Sequence, residues 1–168
     1  MHMMSISYQR GVGMIEVLVA LVILAIGVLG FSALQLRAME ATAEATDRTM
    51  AMNLARDLAE RIRINRLGLN SYITAINDKK TETGCLGSTA IYEPDCDRTK
   101  MADYDANEII TKANEKGQTI IMHPCDGSNR SCIYVAWGKT TIASDDVSSC
   151  MSSGTYVPDA QCIVMEAF

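Results

Sequence analysis

Hydrophobic residues are distributed very unevenly along this chain of 168 residues. Between residues 12 and 34 the sequence reads VGMIEVLVALVILAIGVLGFSAL, in which Glu16 and Ser32 are the only polar side chains. An apolar run of this length predicts a helix that can span a bilayer. A carboxylate inside such a run costs roughly 2.5 to 3.5 kcal/mol in lipid, so Glu16 is a candidate functional residue that needs a partner.

The helical pattern continues beyond the apolar run, and this part of the chain contains no proline. Residues 35–66 are dominated by Ala, Leu, Met, Glu and Arg, which are strong helix formers. We predict one helix over residues 12–66, with Gly68 as its stop signal and an amphipathic second half that packs on a sheet. In that half, Glu44 and Asp57 each have an arginine four residues later, which is the spacing of helix ion pairs.

Beyond this helix the pattern weakens and then changes its period. Residues 69–100 are polar, with glycines, a proline and two cysteines, and they predict a connecting loop with a short helix near residues 71–77. Residues 104–116 have a weak helical pattern that Gly117 ends.

A period of two then predicts β-strands. Three segments are rich in β-branched and aromatic residues and are bounded by turn residues: 118–122, 132–137 and 162–168. Ile133, Val135 and Trp137 alternate and therefore share one face, which we expect to lie toward the helix. The predicted fold class is α+β, with a long N-terminal helix packed on a small antiparallel sheet.

All six cysteines lie beyond the long helix, at positions 85, 96, 125, 132, 150 and 162. An even number of cysteines after a membrane segment predicts disulfides in an oxidising compartment, for which the periplasm fits. If Cys132 and Cys162 each begin a strand of an antiparallel pair, they lie at opposite ends of the sheet and cannot bond. We predict the pairs that close neighbouring loops: Cys85 with Cys96, Cys125 with Cys132, and Cys150 with Cys162.

The remaining polar residues do not form a recognisable catalytic or metal-binding pattern. With 15 Lys and Arg against 20 Asp and Glu, the formal net charge is −5, which argues against direct binding of nucleic acid. His123 lies two residues from Cys125, but a bridged cysteine is no nucleophile. The cysteine spacing lacks zinc-type pairs, and the acidic pairs Asp103 with Asp105 and Asp145 with Asp146 lack the pattern of a calcium loop, so we expect solvated acidic loops. We predict no enzyme activity, no cofactor and no metal.

The residues RGVGMIEVLVALVILAIGVLG resemble the processing signal of type IV pilins and type II secretion pseudopilins. In that family a prepilin peptidase cuts after the glycine and methylates the new amino terminus. The resemblance implies cleavage between Gly11 and Val12, N-methylation of Val12, and Glu16 as the fifth residue of the mature chain. When subunits stack, Glu16 of one subunit would pair with the amine of its neighbour, and the two buried charges would neutralise each other. The family usually has Phe and then Ser or Thr at the first two mature positions, where this chain has Val12 and Gly13.

The same resemblance implies a type IV pilin fold with four segments along the chain. These are a prepilin leader (1–11), the transmembrane and assembly half of the helix (12–34), its amphipathic half (35–67) and a periplasmic pilin domain (68–168). The chain would be a single-pass inner-membrane protein before assembly and part of a pilus afterwards.

Within the family, RGVGMIEVLVALVILAIGVLGFSALQ and the CIYVAW strand look most like the PilV-type minor pilins. Such proteins associate with other minor pilins, the major pilin and the inner-membrane assembly platform in a tip complex that primes pilus assembly. The function implied is support of twitching motility, adhesion or DNA uptake. Two alternatives remain: a minor pseudopilin of a type II secretion system, and a membrane-anchored periplasmic binding domain that never polymerises.

Overall fold

Two units make up the chain in the computed structural model, which describes residues 11, 13–81, 85, 96–126 and 128–167. The first unit comprises residues 1–43 and the second residues 44–168. One long helix, α1 (Met14–Ile64), contributes to both units.

The first unit consists, where it is described, of the apolar part of α1. Its large apolar side chains are exposed, and Gly27 and Gly30 lie within the helix without interrupting it. The hydroxyl of Ser32 donates to the carbonyl oxygen of Val28 at 2.9 Å, so this polar group is satisfied inside the helix. Among the described residues, α1 is the one helix that is long and apolar enough to cross a membrane. Such a surface suits lipid or neighbouring apolar helices rather than water.

Helices form one layer of the second unit. They are the remainder of α1, α2 (Leu69–Asn77) and α3 (Arg98–Glu115). Helix α3 begins after Asp97, whose carboxylate accepts hydrogen bonds from the backbone N–H groups of Thr99 and Lys100, both at 2.9 Å. This N-cap satisfies two of the amides that a helix start leaves without a partner.

Strands form the other layer. They are β1 (Thr119–Pro124), β2 (Ser131–Ala136), β3 (Met151–Ser152), β4 (Thr155–Tyr156) and β5 (Cys162–Glu166). An antiparallel sheet has the order β1-β2-β5, with Ile121 opposite Tyr134 and Tyr134 opposite Val164. Strands β3 and β4 pair as a separate hairpin.

Both faces of the three-stranded sheet are covered. On one face Ile133, Val135 and Trp137 pack in a core with residues of α1 such as Ala51 and Leu58, which confirms the predicted orientation of β2. On the other face a smaller cluster contains residues of the sheet and of the loop before β3: Ile121, Cys132, Tyr134, Ala136, Val147, Cys150 and Cys162. The sequence pattern predicted only the first of these two clusters.

Three disulfides link the cysteines, and their pairs are those expected from the sequence. Cys85 bonds to Cys96, Cys125 to Cys132, and Cys150 to Cys162. In the sheet register, Cys132 lies opposite Glu166, and Cys162 lies opposite Ala136. These two cysteines are therefore at opposite ends of the sheet, which is the geometric reason that they do not bond to each other.

The end of α1 differs from the prediction. The helix ends at Ile64, two residues early, and a 3-10 turn (Arg66–Gly68) leads directly into α2. Gly68 has φ −90° and does not stop α1 in a left-handed conformation. A Cβ atom at this position would lie 2.8 Å from the Asn65 side chain, so the glycine allows a close approach at the corner. Val12, the predicted start, lies outside the described residues.

Two further expectations were wrong in the helical layer. Helix α3 begins six residues before the predicted residue 104, because Asp97 caps it. Asp103 and Asp105 were expected in a solvated loop, but both lie in α3 and Asp105 is buried. Asp145 and Asp146 are exposed in a turn, as expected. The short β3–β4 hairpin was not predicted, since its strands have only two residues each.

One edge of the sheet is occupied by a side chain. Asn77, the last residue of α2, donates from Nδ2 to the carbonyl of Met122 at 2.8 Å, and its Oδ1 accepts from the Met122 N–H at 3.0 Å. The amide therefore bonds the outer edge of β1 as a neighbouring strand would. Because Met122 is buried, water cannot easily replace these two bonds.

We expect Asn77→Ala to lower the free energy of unfolding by about 2 to 3 kcal/mol, because two buried backbone groups lose their partners. The measurement is urea unfolding of the chain in detergent, followed by the fluorescence of its single tryptophan. Asn70→Ala, at an exposed position of the same helix, is the control and should change stability by less than about 0.5 kcal/mol. Equal effects of the two substitutions would contradict the role given to Asn77.

Candidate functional site

The predicted assembly site lies at the start of α1. Glu16 is exposed in the first turn of the helix, and the Gly13 carbonyl accepts hydrogen bonds from the N–H groups of Glu16 (3.0 Å) and Val17 (3.3 Å). Gly11 is also exposed, whereas Val12 lies outside the described residues. The N-terminal end of a helix carries a partial positive charge, which favours a carboxylate at this position.

Within the part of the chain that the structure describes, the carboxylate of Glu16 has no ion-pair partner. The other polar side chain of the apolar run, Ser32, is satisfied by the helix itself. Glu16 therefore differs from Ser32 in needing a group from elsewhere once the helix is in an apolar environment. The apolar side chains that follow it on the same side of α1, Ala20 and Leu24, offer no hydrogen bond.

A second polar cluster lies in the domain, where α1, α2 and α3 meet. Arg61 donates from Nε to Asp57 at 2.8 Å and from Nη1 to Asp105. The hydroxyl of Tyr72, a fully buried residue, donates to the other oxygen of Asp105 at 2.5 Å. Lys112 of α3 also contacts Asp57 at 3.2 Å. These contacts join three helices through complementary charges.

Burial and hydrogen bonding act against each other on the ionisation of this cluster. Burial raises the pKa of Asp57, but the hydrogen bonds from Arg61 and Lys112 outweigh it, so the pKa lies below its usual value. Burial lowers the pKa of Arg61, and the bonds to Asp57 and Asp105 more than offset this and raise it. Burial, followed by the hydrogen bond to Asp105, raises the pKa of Tyr72 well above the usual range. All of these groups keep one charge state near neutral pH, which suits a structural role rather than proton transfer.

The one candidate nucleophile is not available. Cys125 is bonded to Cys132, and the Nδ1 atom of His123 lies 2.8 Å from the carbonyl oxygen of Pro124. The His123 ring also packs edge-on against Tyr134. Among the residues described, no group of three or more His, Cys, Asp or Glu side chains could hold a metal ion.

The Arg61–Asp105–Tyr72 cluster was not predicted from the sequence. Arg61 and Asp105 are 44 residues apart, so no local spacing connects them. A usable signal was present in α3, where Asp105 falls on the same face as Ala102, Ala106 and Ile109, which are buried. A polar residue on an apolar helix face predicts a buried partner.

Two families of known proteins match different parts of this chain. The model described as Prokaryotic N-terminal methylation motif matches residues 6–32, which include Gly11 and Glu16. The model described as Type IV pilin Tt1218 matches residues 33–107, which cover the second part of α1, all of α2 and the start of α3. No curated protein and no solved structure matches the chain.

Together the two matches cover residues 6–107, which include α1, α2 and the first part of α3. The methylation motif and the long apolar helix fit a membrane-anchored pilin, which interacts with a prepilin peptidase and with other pilus components. Pilins are structural rather than catalytic proteins, in agreement with the bridged Cys125. The long N-terminal helix, the small antiparallel sheet and the three disulfides are consistent with the type IV pilin fold. Over residues 6–107, the two matches support a type IV pilin.

Proposed function

We propose that this pilin is a PilV-type minor pilin. It joins other minor pilins in the inner membrane, and together they form a tip complex that primes assembly of the major pilin on the assembly platform. Through the pilus it supports twitching motility, adhesion or DNA uptake. It has a single membrane helix and a periplasmic domain before assembly, and it is part of the pilus tip afterwards.

The observation that carries the proposal is the exposed carboxylate of Glu16, which has no described partner in an apolar helix that follows Gly11. Cleavage by the prepilin peptidase after Gly11 gives Val12 a new amine, which is then methylated. Val12 and Glu16 are four residues apart, so the amine and the carboxylate lie about one helical turn apart along the axis. In stacked subunits the carboxylate of one pairs with the amine of the next, so that neither charge stays alone in lipid.

The proposal assigns each segment a task. Residues 1–11 are the leader that is removed, and residues 12–34 are the membrane and assembly segment. Residues 35–67 connect this segment to the domain, and residues 68–168 form the periplasmic domain, in which three disulfides suit an oxidising compartment.

A minor pseudopilin of a type II secretion system is the second candidate, because such subunits have the same kind of N-terminal segment. Three disulfides and a loop-rich C-terminal region favour the pilus. A membrane-anchored periplasmic domain that does not polymerise is the third candidate, and it does not require removal of residues 1–11.

The test begins with mass spectrometry of the protein purified from its native membrane. We expect a chain that starts with N-methylated Val12, and we expect Gly11→Leu, as the control, to retain the leader. A leader that stays attached in the wild type would exclude a filament subunit and favour the anchored domain.

A deletion strain then separates the two filament systems. Loss of surface pili with intact secretion supports the proposal, because a priming complex acts before any filament grows. Intact pili with impaired secretion would identify a pseudopilin instead.

A further inference from the structure

A polar contact joins α1 to the sheet layer at the point where the helix enters the second unit. Glu44 is the first residue of that unit, and its Oε2 accepts from the Trp137 Nε1–H at 3.1 Å and from Gln161 Nε2 at 2.8 Å. Trp137 and Gln161 lie 93 and 117 residues away in the sequence. Glu44 therefore does not depend on the ion pair with Arg48 that its spacing predicted.

Gln161 is also held by hydrogen bonds that do not involve Glu44. The backbone carbonyl of Gln161 accepts a hydrogen bond from the Trp137 backbone N–H at 2.9 Å. The backbone N–H of Gln161 donates to the Thr140 hydroxyl at 2.7 Å. Its side-chain oxygen accepts from the Lys139 N–H at 2.9 Å. With the side-chain oxygen used in this way, the Nε2 group is oriented toward Glu44.

A glycine is required beside this contact. Gly138 has φ +61°, and a Cβ atom there would lie 2.2 Å from the Gln161 side-chain oxygen. Any other residue would strain the backbone and displace the amide that Glu44 binds.

Apolar packing does not secure the same part of α1. The first buried residue of the helix is Ala51, which is seven residues, or about two helical turns, after Glu44. Polar bonds also support this interval, among them one from Nε2 of the buried Gln118 to the Asp47 carbonyl at 2.9 Å. Glu44 and Gln161 are half-buried, so their hydrogen bond can exchange with water, whereas the packed residues from Ala51 onward cannot separate without exposing the core.

We propose that Glu44, Trp137 and Gln161 form a clasp that holds residues 44–50 of α1 on the sheet layer and can open without unfolding the domain. Glu44 is a positioning residue: it fixes the last point at which the domain holds the helix. The expected effect of the clasp on pili rests on the proposed function, because neighbouring subunits must receive the helix in a defined position. The clasp itself is a property of the single chain and can be measured without a filament.

The single tryptophan gives a direct test, because the chain has one indole N–H. In full-length protein in detergent micelles, we expect hydrogen exchange of this N–H to become at least about tenfold faster in Glu44→Ala, since its acceptor is lost. Glu44→Gln should stay within about threefold of the wild type, because the amide oxygen still accepts. Gln161→Met, which removes one of the two donors, should give an intermediate rate.

Two results of this experiment would overturn the proposal. In the first, the indole N–H of Glu44→Ala exchanges as slowly as that of the wild type. In the second, the backbone amides of β2 lose protection together with the indole, which means that Glu44 acts on the stability of the whole domain. Glu40→Ala, an exposed glutamate one turn earlier in the helix, is the matched control and should change neither signal.

A cellular arm separates the clasp from the proposed function. We expect Glu44→Ala to reduce surface pili in the complemented deletion strain and Glu44→Gln to restore them. If the deletion strain has normal pili while the indole N–H of purified Glu44→Ala exchanges faster, the clasp is supported and the minor-pilin function is rejected. Normal piliation by Glu44→Ala in a strain that does need the protein would overturn the positioning role.

Discussion

Replacing Glu16 with alanine is expected to leave cleavage after Gly11 intact and to abolish incorporation of the chain into filaments. The amine of the neighbouring subunit would then have no carboxylate with which to pair. An unpaired charge in the apolar interior of a filament costs several kcal/mol, which corresponds to a loss of incorporation of more than about 100-fold. The measurement is the amount of this pilin in sheared pili relative to its amount in the membrane.

Ser32→Ala is the matched control, because Ser32 is the other polar side chain of the same apolar run. Its hydroxyl bonds to the Val28 carbonyl within the helix, so its removal leaves no distant partner unpaired. We therefore expect Ser32→Ala to be incorporated like the wild type. Normal incorporation of Glu16→Ala would reject the charge-pairing hypothesis, and retention of its leader would show that Glu16 acts in processing instead.

Replacing Asp105 with alanine should lower the free energy of unfolding by about 3 to 5 kcal/mol, the usual result of removing one partner from a buried ion pair. The side chain of Asp105 is only 12% exposed, and it is bonded to Arg61 and to the hydroxyl of the buried Tyr72. Its loss leaves Nη1 of Arg61 and the hydroxyl of Tyr72 without this acceptor, while Nε of Arg61 keeps its bond to Asp57. Urea unfolding in detergent, followed by tryptophan fluorescence, gives the value.

Two comparisons make the Asp105 prediction specific. Glu115→Ala removes an exposed carboxylate from the same helix and should change stability by less than about 0.5 kcal/mol. Because Arg61 and Asp105 are in direct contact, the losses of stability from Arg61→Met and Asp105→Ala should be less than additive in the double variant. A loss below about 1 kcal/mol for Asp105→Ala would mean that water satisfies Arg61 in its place.

Local sequence patterns predicted those parts of the fold that depend on interactions between residues close together in the chain. An unbroken run of helix formers predicted α1, and alternating residues predicted the strands and the inward face of β2. The disulfide loops followed in the same way, since each pair closes a segment of 7 to 12 residues. Gly11 and Glu16 could be singled out from the sequence because Gly11 borders an apolar run and Glu16 interrupts it.

Other features were missed for identifiable reasons. The start of α3 depends on the Asp97 cap, which lies in a segment whose composition is typical of a loop. The β3–β4 hairpin is too short for its period to be recognised. Gly68 does not stop α1 as its residue type predicts; instead, its lack of a side chain allows a close approach to Asn65. In each case the same local sequence was compatible with more than one structure, and the folded domain determines which one forms.

The sequence by itself determined the apolar anchor, the isolated carboxylate of Glu16, the α+β class and the loops that the cysteines close, because each depends on residue type and short spacing. Only the tertiary structure decided that Glu44 bonds Trp137 and Gln161, that Asn77 covers the edge of β1, and that Asp105 is buried against Arg61. These partners are 44 to 117 residues apart. No local period relates such distant positions, and a charged residue meets its partner only when the helices and the sheet have packed together.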